Sequence, residues 1–202
     1  MSTSAVATVD RSDFRNVLLS GTKTGVITGM AVVASLAITR LLPGGMPRDV
    51  LVSLVVLTAG TLVSLLPGEW AVARHAEGIA GSAAIGLWGS VVFMAIDVVL
   101  LRPFKAYPWT WDAIGGGSSW WYLPIWWMLG TLLAWMGGLL TAGRHARSPV
   151  TRWQIALPVV GVGVGLAGAG KLLGFPVPLP VLSGAGYTVA LTLMALLSLR
   201  KV

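Results

Sequence analysis

Three ionisable residues, Arg40, Asp97 and Lys171, interrupt stretches of sequence that are otherwise apolar. A charge within hydrocarbon costs free energy, so such residues are rare in membrane spans and mark ion or substrate pathways. They lie near the ends of the first, third and fifth apolar stretches, which would cross a membrane in the same direction. The sequence therefore predicts that they form an ion pathway or a site for an anionic ligand. Alternatively, Arg40 and Lys171 extend separately to the lipid headgroups, and Asp97 pairs with the nearest basic group.

A second polar candidate is the loop 69–77, which contains Glu69, Arg74, His75 and Glu77. It combines both charge signs with an imidazole that titrates near neutral pH. On a helix, Arg74 and Glu77 would be three residues apart and could pair. The alternative interpretation is a solvated helix at the membrane surface, with no further role.

The segment 165–171 reads Gly-Leu-Ala-Gly-Ala-Gly-Lys and matches the G-x-x-x-x-G-K part of a phosphate-binding loop. Leu172 stands where that motif needs a Ser or Thr to hold Mg²⁺. We therefore interpret these glycines as a helix-packing surface. Gly161 and Gly165 form a G-x-x-x-G pair that Gly168 extends, and this spacing lets a neighbouring helix approach closely in lipid.

Catalytic and metal-binding motifs are absent from the sequence. The chain has no cysteine and only two histidines, and it lacks both an H-E-x-x-H motif and a cluster of carboxylates. No Ser, His and Asp arrangement can be assembled, since the serines within apolar stretches have no base nearby in sequence. We expect no metal site and no catalytic residue. The sequence favours a protein that is not an enzyme and leaves any cofactor undetermined.

The composition defines the class of protein that must position these residues. Of 202 residues, 55% are hydrophobic and 10% are charged, and the mean hydropathy is +0.82. An average soluble domain has about 25% charged residues. A membrane span needs about 20 mostly apolar residues. We predict an all-α fold, a polytopic integral membrane protein whose single transmembrane domain is a bundle of about six transmembrane helices. The predicted spans are residues 25–42, 50–66, 79–101, 121–142, 155–173 and 181–199.

Proline and glycine mark the predicted ends of several helices. The first two spans both end in Leu-Leu-Pro-Gly, at residues 41–44 and 65–68, and we expect each helix to stop there. Three prolines within 174–180 separate the last two spans, which either cross separately or form a re-entrant hairpin.

The N-terminal residues 1–20 lack the features of a signal peptide. We expect them to form a retained cytoplasmic segment. Within it, Ser12 or Asp13 would cap a short helix lying on the membrane surface.

The basic residues predict the orientation. With six spans, nine of the fourteen Lys and Arg fall on the side of the termini and five on the other. Cytoplasmic loops carry the excess of Lys and Arg, so we expect both termini in the cytoplasm, with the protein in a bacterial inner membrane. Orientation in the membrane accounts for the net charge of +7, and no nucleic acid partner is expected. The basic loop around His145 would meet anionic lipid.

Aromatic residues border the longest predicted outer loop, 102–120. They are Trp109, Trp111, Trp120 and Trp121. Tryptophan settles at the lipid headgroups because it combines an apolar ring with one polar N–H. We interpret these residues as interface aromatics that anchor the protein, and a ligand platform or docking surface is the alternative.

Two functional classes remain open. The first is an accessory or structural subunit of a larger integral membrane complex, because the chain has no room for a soluble domain and few charges within its spans. The second is a small membrane transporter or channel component with an outer polar site around Asp97. The expected partners are membrane lipids and other membrane protein subunits or copies of the chain itself.

Overall fold

The computed structural model describes residues 11–103, 122–145 and 151–199. They form helices α1 (Phe14–Leu41), α2 (Met46–Trp70), α3 (Ala76–Ile96), α4 (Tyr122–His145), α5 (Arg152–Leu172) and α6 (Leu179–Leu199). A π-helical turn, Asp97–Leu101, extends α3. Six helices are long and apolar enough to cross a membrane, which confirms the predicted all-α bundle.

Helix α2 is the centre of the bundle, because it contacts each of the other five helices. Around it, α1 packs on α3, α3 on α4, and α5 on α6. Consecutive helices run in opposite directions. We call the side where α1, α3 and α5 begin the near side of the bundle, and the side where these three helices end the far side.

Helix α1 is longer than predicted. It begins at Phe14, where the carboxylate of Asp13 accepts a hydrogen bond from the backbone N–H of Asn16 at 3.1 Å and caps the helix. The helix then continues without interruption to Leu41. The predicted surface helix and the predicted span from residue 25 are thus parts of one continuous helix that begins at the Asp13 cap. The prediction of two separate helices is wrong.

Helix α2 passes through Pro67 and ends at Trp70, so the prediction that Leu-Leu-Pro-Gly stops it is wrong. Gly68 packs directly on α4, and a Cβ placed there would lie 3.2 Å from the Cα of Gly138. This contact holds the last turn against its neighbour, and tertiary packing overrides the local preference of proline and glycine. The same motif at residues 41–44 does end α1.

The turn that follows α2 contains Val72 in the left-handed region, with φ of 52°. The Ala73 N–H donates to the Gly68 carbonyl at 2.9 Å, and the Val72 N–H donates to the Glu69 carbonyl at 3.1 Å. These are the bonds of a Schellman C-cap, in which glycine usually takes the place of Val72. The valine costs about 1–2 kcal/mol in this conformation. The chain turns between α2 and α3, so residues 69–77 do not form the single helix on which the predicted pairing of Arg74 and Glu77 depends.

Helices α5 and α6 have 21 residues each, and each is long enough to cross a membrane by itself. They are thus two separate full-length helices. Gly174, with φ of 77°, ends α5 through a bond from the Phe175 N–H to the Gly170 carbonyl at 3.1 Å. The segment 165–171 lies within α5, where backbone N–H groups bond along the helix, so it is not a phosphate-binding loop.

Glycines bring α1, α3 and α4 close together. A Cβ at Gly25 of α1 would lie 2.7 Å from the carbonyl oxygen of Gly89 on α3. On an adjacent face of α3, Gly86 lies so close to the backbone of Gly130 on α4 that a Cβ would overlap it. Small residues permit such backbone contact in bundles of apolar helices. In the sequence, the signal for the α1 surface is the repeated G-x-x-x-G spacing of residues 21, 25 and 29.

The glycines of α5 that touch a neighbouring helix are not the predicted ones. Gly161, Gly165 and Gly168 are exposed, and a Cβ on any of them would meet nothing within 4 Å in the described part of the chain. Gly163 packs on α6 instead, where a Cβ would lie 2.9 Å from the Cα of Tyr187. Residues two apart point about 200° apart on a helix, so the frames that begin at 161 and 163 lie on opposite faces. The predicted frame faces outward from this chain.

Replacing Gly25 by Leu should destabilise the bundle, whereas the matched change Gly165→Leu should not. The first side chain would collide with the α3 backbone, and overpacking of this kind costs about 1–3 kcal/mol. The second would enter open space. Thermal melting of both variants in one detergent checks this, and equal melting temperatures would contradict the packing described for α1.

Candidate functional site

A cavity of about 890 Å³ lies between five of the helices. Its walls are formed by residues 24–39 of α1, 55–63 of α2, 86–93 of α3, 126–133 of α4 and 181–189 of α6. From the order of these segments along the helices, the cavity extends from the far side to the middle of the bundle. Ligand pockets typically have about 300–1,000 Å³, so this volume suits a small molecule.

The cavity exists because α1 packs closely along only part of its length. The buried residues of α1 lie between positions 20 and 29 and are Ser20, Gly21, Thr24, Gly25 and Gly29. No residue from 30 to 41 is buried in the described structure. Residues 30–41 of α1 therefore pack less closely on the bundle and leave a space beside the centre of α2.

The cavity lining is mostly apolar and contains no charged side chain among the described residues. Apart from the indole N–H of Trp126, the polar side-chain groups of the lining are hydroxyls, and four of them form one stripe along α1: Thr24, Thr28, Ser35 and Thr39. Residues four and seven apart share one face of a helix. This spacing is visible in the sequence, and it is the signal from which the lining could have been predicted.

Most of these hydroxyls already use their proton within their own helix. Thr24 donates to the Ser20 carbonyl at 3.0 Å, Thr28 to the Thr24 carbonyl at 2.9 Å, and Thr39 to the Leu36 carbonyl at 2.9 Å. The hydroxyls of Ser90 and Thr188 bond to carbonyls in the same way. A hydroxyl has one proton to donate and two lone pairs that accept. These groups can therefore accept hydrogen bonds from a ligand that brings O–H or N–H donors.

Aromatic side chains form the floor and one wall. Tyr187 is 2% exposed, its hydroxyl lies 2.7 Å from the Ser64 hydroxyl, and its ring packs beside Gly60. The Phe93 and Trp126 rings meet edge to face with centroids 5.1 Å apart, a favourable geometry for aromatic pairs. These contacts hold the lining in a fixed shape.

Asp97 lies one turn beyond Phe93 and is only 4% exposed. Its Oδ2 accepts a hydrogen bond from Nε of Arg102 at 3.2 Å. From the sequence, Asp97 is expected near Arg40, Lys171 or a polar group of a partner subunit, because residues five apart, such as 97 and 102, point in different directions on an α-helix. The π-turn removes that objection: the Arg102 N–H bonds to the Asp97 carbonyl at 2.9 Å, and this i to i+5 bond places residue 102 above residue 97.

The predicted cluster of three ionisable residues is not an ion-paired cluster. Arg40 and Lys171 are exposed, each in the last turn of its helix. The ion pairs among the described residues do not join either of them to Asp97. The Oδ1 of Asp97 is buried without a hydrogen-bond partner in that same part of the chain.

A second pocket, of about 500 Å³, lies at the near side and contains part of the predicted polar loop. Glu69 pairs with Arg152 at 3.5 Å across the ends of α2 and α5, and Arg74 lines the same pocket. The predicted helical spacing of Arg74 and Glu77 does not occur, because α3 begins only at Ala76. The contact between residues 69 and 152 could not be predicted from the sequence, because it depends on how the helices pack. His75 is exposed and does not line the pocket.

Within the described ranges, no group of three or more His, Asp or Glu residues could hold a metal ion. The predicted interface aromatics Trp109, Trp111, Trp120 and Trp121 lie outside the described residues. On the far side, Arg48 lies in the first turn of α2 and pairs with its neighbour Asp49 at 3.7 Å.

Comparisons with known proteins do not assign this chain to a family. No protein-family model, curated protein or solved structure matches the chain. The fold and the cavity therefore define its class by themselves: an all-helical bundle with six helices long and apolar enough to cross a membrane.

Replacing Arg102 by Gln should lower stability more than the matched change Asp97→Asn. The first change leaves a carboxylate that is 5% exposed without its cation, which costs about 1–3 kcal/mol. The second leaves a guanidinium whose side chain is 31% exposed and can reach polar surroundings. Melting curves of both single variants and of the double variant measure the coupling. If the two changes are equal and additive, the ion pair does not stabilise the π-turn.

Proposed function

We propose that the chain is an integral membrane protein of a bacterial inner membrane, with six spans and both termini in the cytoplasm. Large apolar side chains are exposed on the outer faces of the helices, among them Met30, Leu54, Leu157 and Leu197. Exposed apolar surface on this scale is characteristic of contact with lipid or with other proteins. The excess of basic residues on the near side supports its placement in the cytoplasm.

Within that membrane, the proposed function is that of a small transport component which binds an uncharged, largely apolar molecule carrying O–H or N–H donors. The observation that carries this proposal is the cavity of about 890 Å³, with its apolar walls and its hydroxyl acceptors. An ion or a strongly charged solute would lose its hydration there without meeting an opposite charge. A lipophilic alcohol would bury its chain and keep its hydrogen bond.

The cavity is closed toward the near side. Gly137 of α4 packs against the carbonyl of Ser64, and Gly138 packs against Ser82 of α3, where a Cβ would lie 2.8 Å from the serine hydroxyl. Tyr187 fills the space between α2 and α6. A ligand can therefore enter from the far side, and transport requires these near-side contacts to separate. A binding site open to one side is what an alternating-access carrier needs in one of its two states.

The transport version of this proposal keeps Asp97 as a candidate functional residue. It lies one turn from Phe93, which lines the cavity, and it is buried in a helix long enough to span the membrane. An ionisable residue in such a position is a natural element of an ion or proton pathway. Arg40 and Lys171 lie at the far-side helix ends, where headgroup contact accounts for them.

Filling the cavity should abolish ligand binding without unfolding the protein. Ala59 lines the cavity on α2, and Ala59→Phe would occupy it; the matched control Ala169→Phe changes an exposed position of α5. With farnesol as the probe, we expect binding at least about tenfold weaker for the first variant and unchanged for the second, since a bulky side chain takes the ligand's volume. Titration in nanodiscs measures both.

Two further measurements test the role of the hydroxyl acceptors and the preference for an uncharged ligand. Thr28→Val should weaken farnesol binding several-fold, about the worth of one neutral hydrogen bond, whereas Thr192→Val outside the cavity should not. Ionised dodecanoate should bind far more weakly than dodecanol. Equal binding of farnesol to the wild-type chain and to Ala59→Phe would overturn the proposed function, and flux of the bound alcohol in proteoliposomes would separate a carrier from a binding protein.

A second candidate function, an accessory subunit of a membrane complex, is favoured by the outer face of α5. Gly161, Gly165 and Gly168 are exposed there and touch no other described residue of this chain through a Cβ position. Glycine within a helix costs about 1 kcal/mol relative to alanine, so a lipid-facing row gains nothing from it. A partner subunit or a second copy would use that surface. Loss of companions or of a homo-oligomer in Gly165→Leu, after mild detergent extraction, would support this function.

Cysteine labelling tests the orientation, because the chain contains no cysteine of its own. Gly44→Cys lies at the far side and Glu77→Cys at the near side, and both positions are exposed. A membrane-impermeant maleimide should label Gly44→Cys in intact cells and Glu77→Cys only after lysis. The reverse pattern would place the termini outside, and labelling of both in intact cells would contradict the membrane-spanning arrangement.

A further inference from the structure

The near-side pocket has the chemistry of an anion site at a membrane surface. It lies where the ends of α2 and α4 meet the start of α5, and its volume is about 500 Å³. Six of its lining residues supply its charges, its hydroxyl and its apolar wall: Glu69, Val72, Arg74, Thr151, Arg152 and Trp153. We propose that this pocket binds the phosphate group of an anionic lipid headgroup. The proposal rests on the membrane placement argued above and is independent of the ligand of the central cavity.

The charge of the pocket favours an anion. Two guanidinium groups face one carboxylate in the described lining, so the pocket carries a formal charge of +1. Arg152 and Glu69 are 3.5 Å apart, and their side chains are 57% and 28% exposed. An ion pair this exposed is weak. A guanidinium has five N–H donors in a rigid fork that matches two phosphate oxygens, so Arg152 can bind phosphate while it remains near Glu69.

The N-terminus of α5 also favours an anion. Helix α5 begins at Arg152, and Thr151 is its N-cap residue. The capping box between Thr151 and Gln154 uses the N–H groups of these two residues, which leaves the N–H groups of Arg152 and Trp153 at the start of the helix for an anion. The helix N-terminus also carries a partial positive charge. This end of the 21-residue helix opens on the pocket beside the arginine side chains. Helix termini and guanidinium groups together form phosphate sites in many folds.

The shape of the pocket favours a lipid over a soluble anion. Trp153 lines the pocket and is 66% exposed, and tryptophan concentrates at the headgroup level of membranes. Val72 is half-buried and adds apolar surface on which the glycerol and first methylenes of a lipid can lie. Val72 also keeps its left-handed conformation here, and strained residues concentrate at binding sites, where the surrounding structure fixes them.

The test is a titration of the purified full chain in detergent with phosphatidylglycerol, with phosphatidylcholine as the neutral-headgroup control and melting temperature as readout. Arg152→Gln and Arg74→Gln should each weaken phosphatidylglycerol binding about tenfold, the worth of one charge-assisted hydrogen bond. Glu69→Gln should strengthen binding, because it removes the competing carboxylate. Arg48→Gln is the matched control, since that arginine also pairs with a carboxylate but lies at the far side. Its binding should equal that of the wild-type chain.

Inorganic phosphate distinguishes the two sources of the ligand chemistry. Weak stabilisation by millimolar phosphate, with much stronger stabilisation by the lipid, supports the headgroup site. Equal stabilisation by both would assign the pocket to a soluble phosphate compound and overturn the lipid. Unchanged binding in both arginine variants, or weaker binding in Glu69→Gln, would overturn the site altogether. Farnesol binding is measured separately, so failure here contradicts the near-side pocket without touching the central cavity.

Discussion

Apolar helices in a bundle attract one another mainly through close packing, and the distance between their backbones depends on which residues lie in the contact. In this chain glycines lie at close contacts between helices. Gly25 lies on Gly89, Gly86 lies on Gly130, and Gly163 lies on Tyr187. The row of glycines on α1 ends at Gly29, and no residue beyond it is buried in that helix. This less closely packed part of α1 borders the cavity.

The π-turn after α3 solves a different problem, which is how to bury a carboxylate. In a regular helix, Asp97 and Arg102 would point in different directions, and the carboxylate would need a cation from another helix. The wider turn brings them into contact within five residues of sequence. The pair is thus formed locally, and it does not depend on how the helices of the bundle are arranged. Such turns are frequent at functional sites, which agrees with a role for Asp97 near the cavity.

Length and apolarity were sufficient to predict six long helices, because a span's requirement for about 20 apolar residues is visible in the chain itself. Contacts between helices were not predictable to the same degree. Residues 161 and 163 begin equivalent small-residue frames on opposite faces of α5, and only the packing of α6 selects one of them. The segment at Pro67 was predicted to be a helix end because the packing of the next residue, Gly68, against α4 is invisible in the local sequence. The hydroxyl stripe of α1 was readable from its spacing, but the empty space in front of it was not.

The unequal packing of α1 has a consequence for how the sequence can vary. Residues 21–29 hold the helix against α3 through close backbone contacts, whereas no residue from 30 to 41 is buried. Substitutions between 30 and 41 therefore alter the lining of the cavity without disturbing the contacts that hold the bundle together. Ligand preference and stability of the fold are thus encoded by different residues of the same helix.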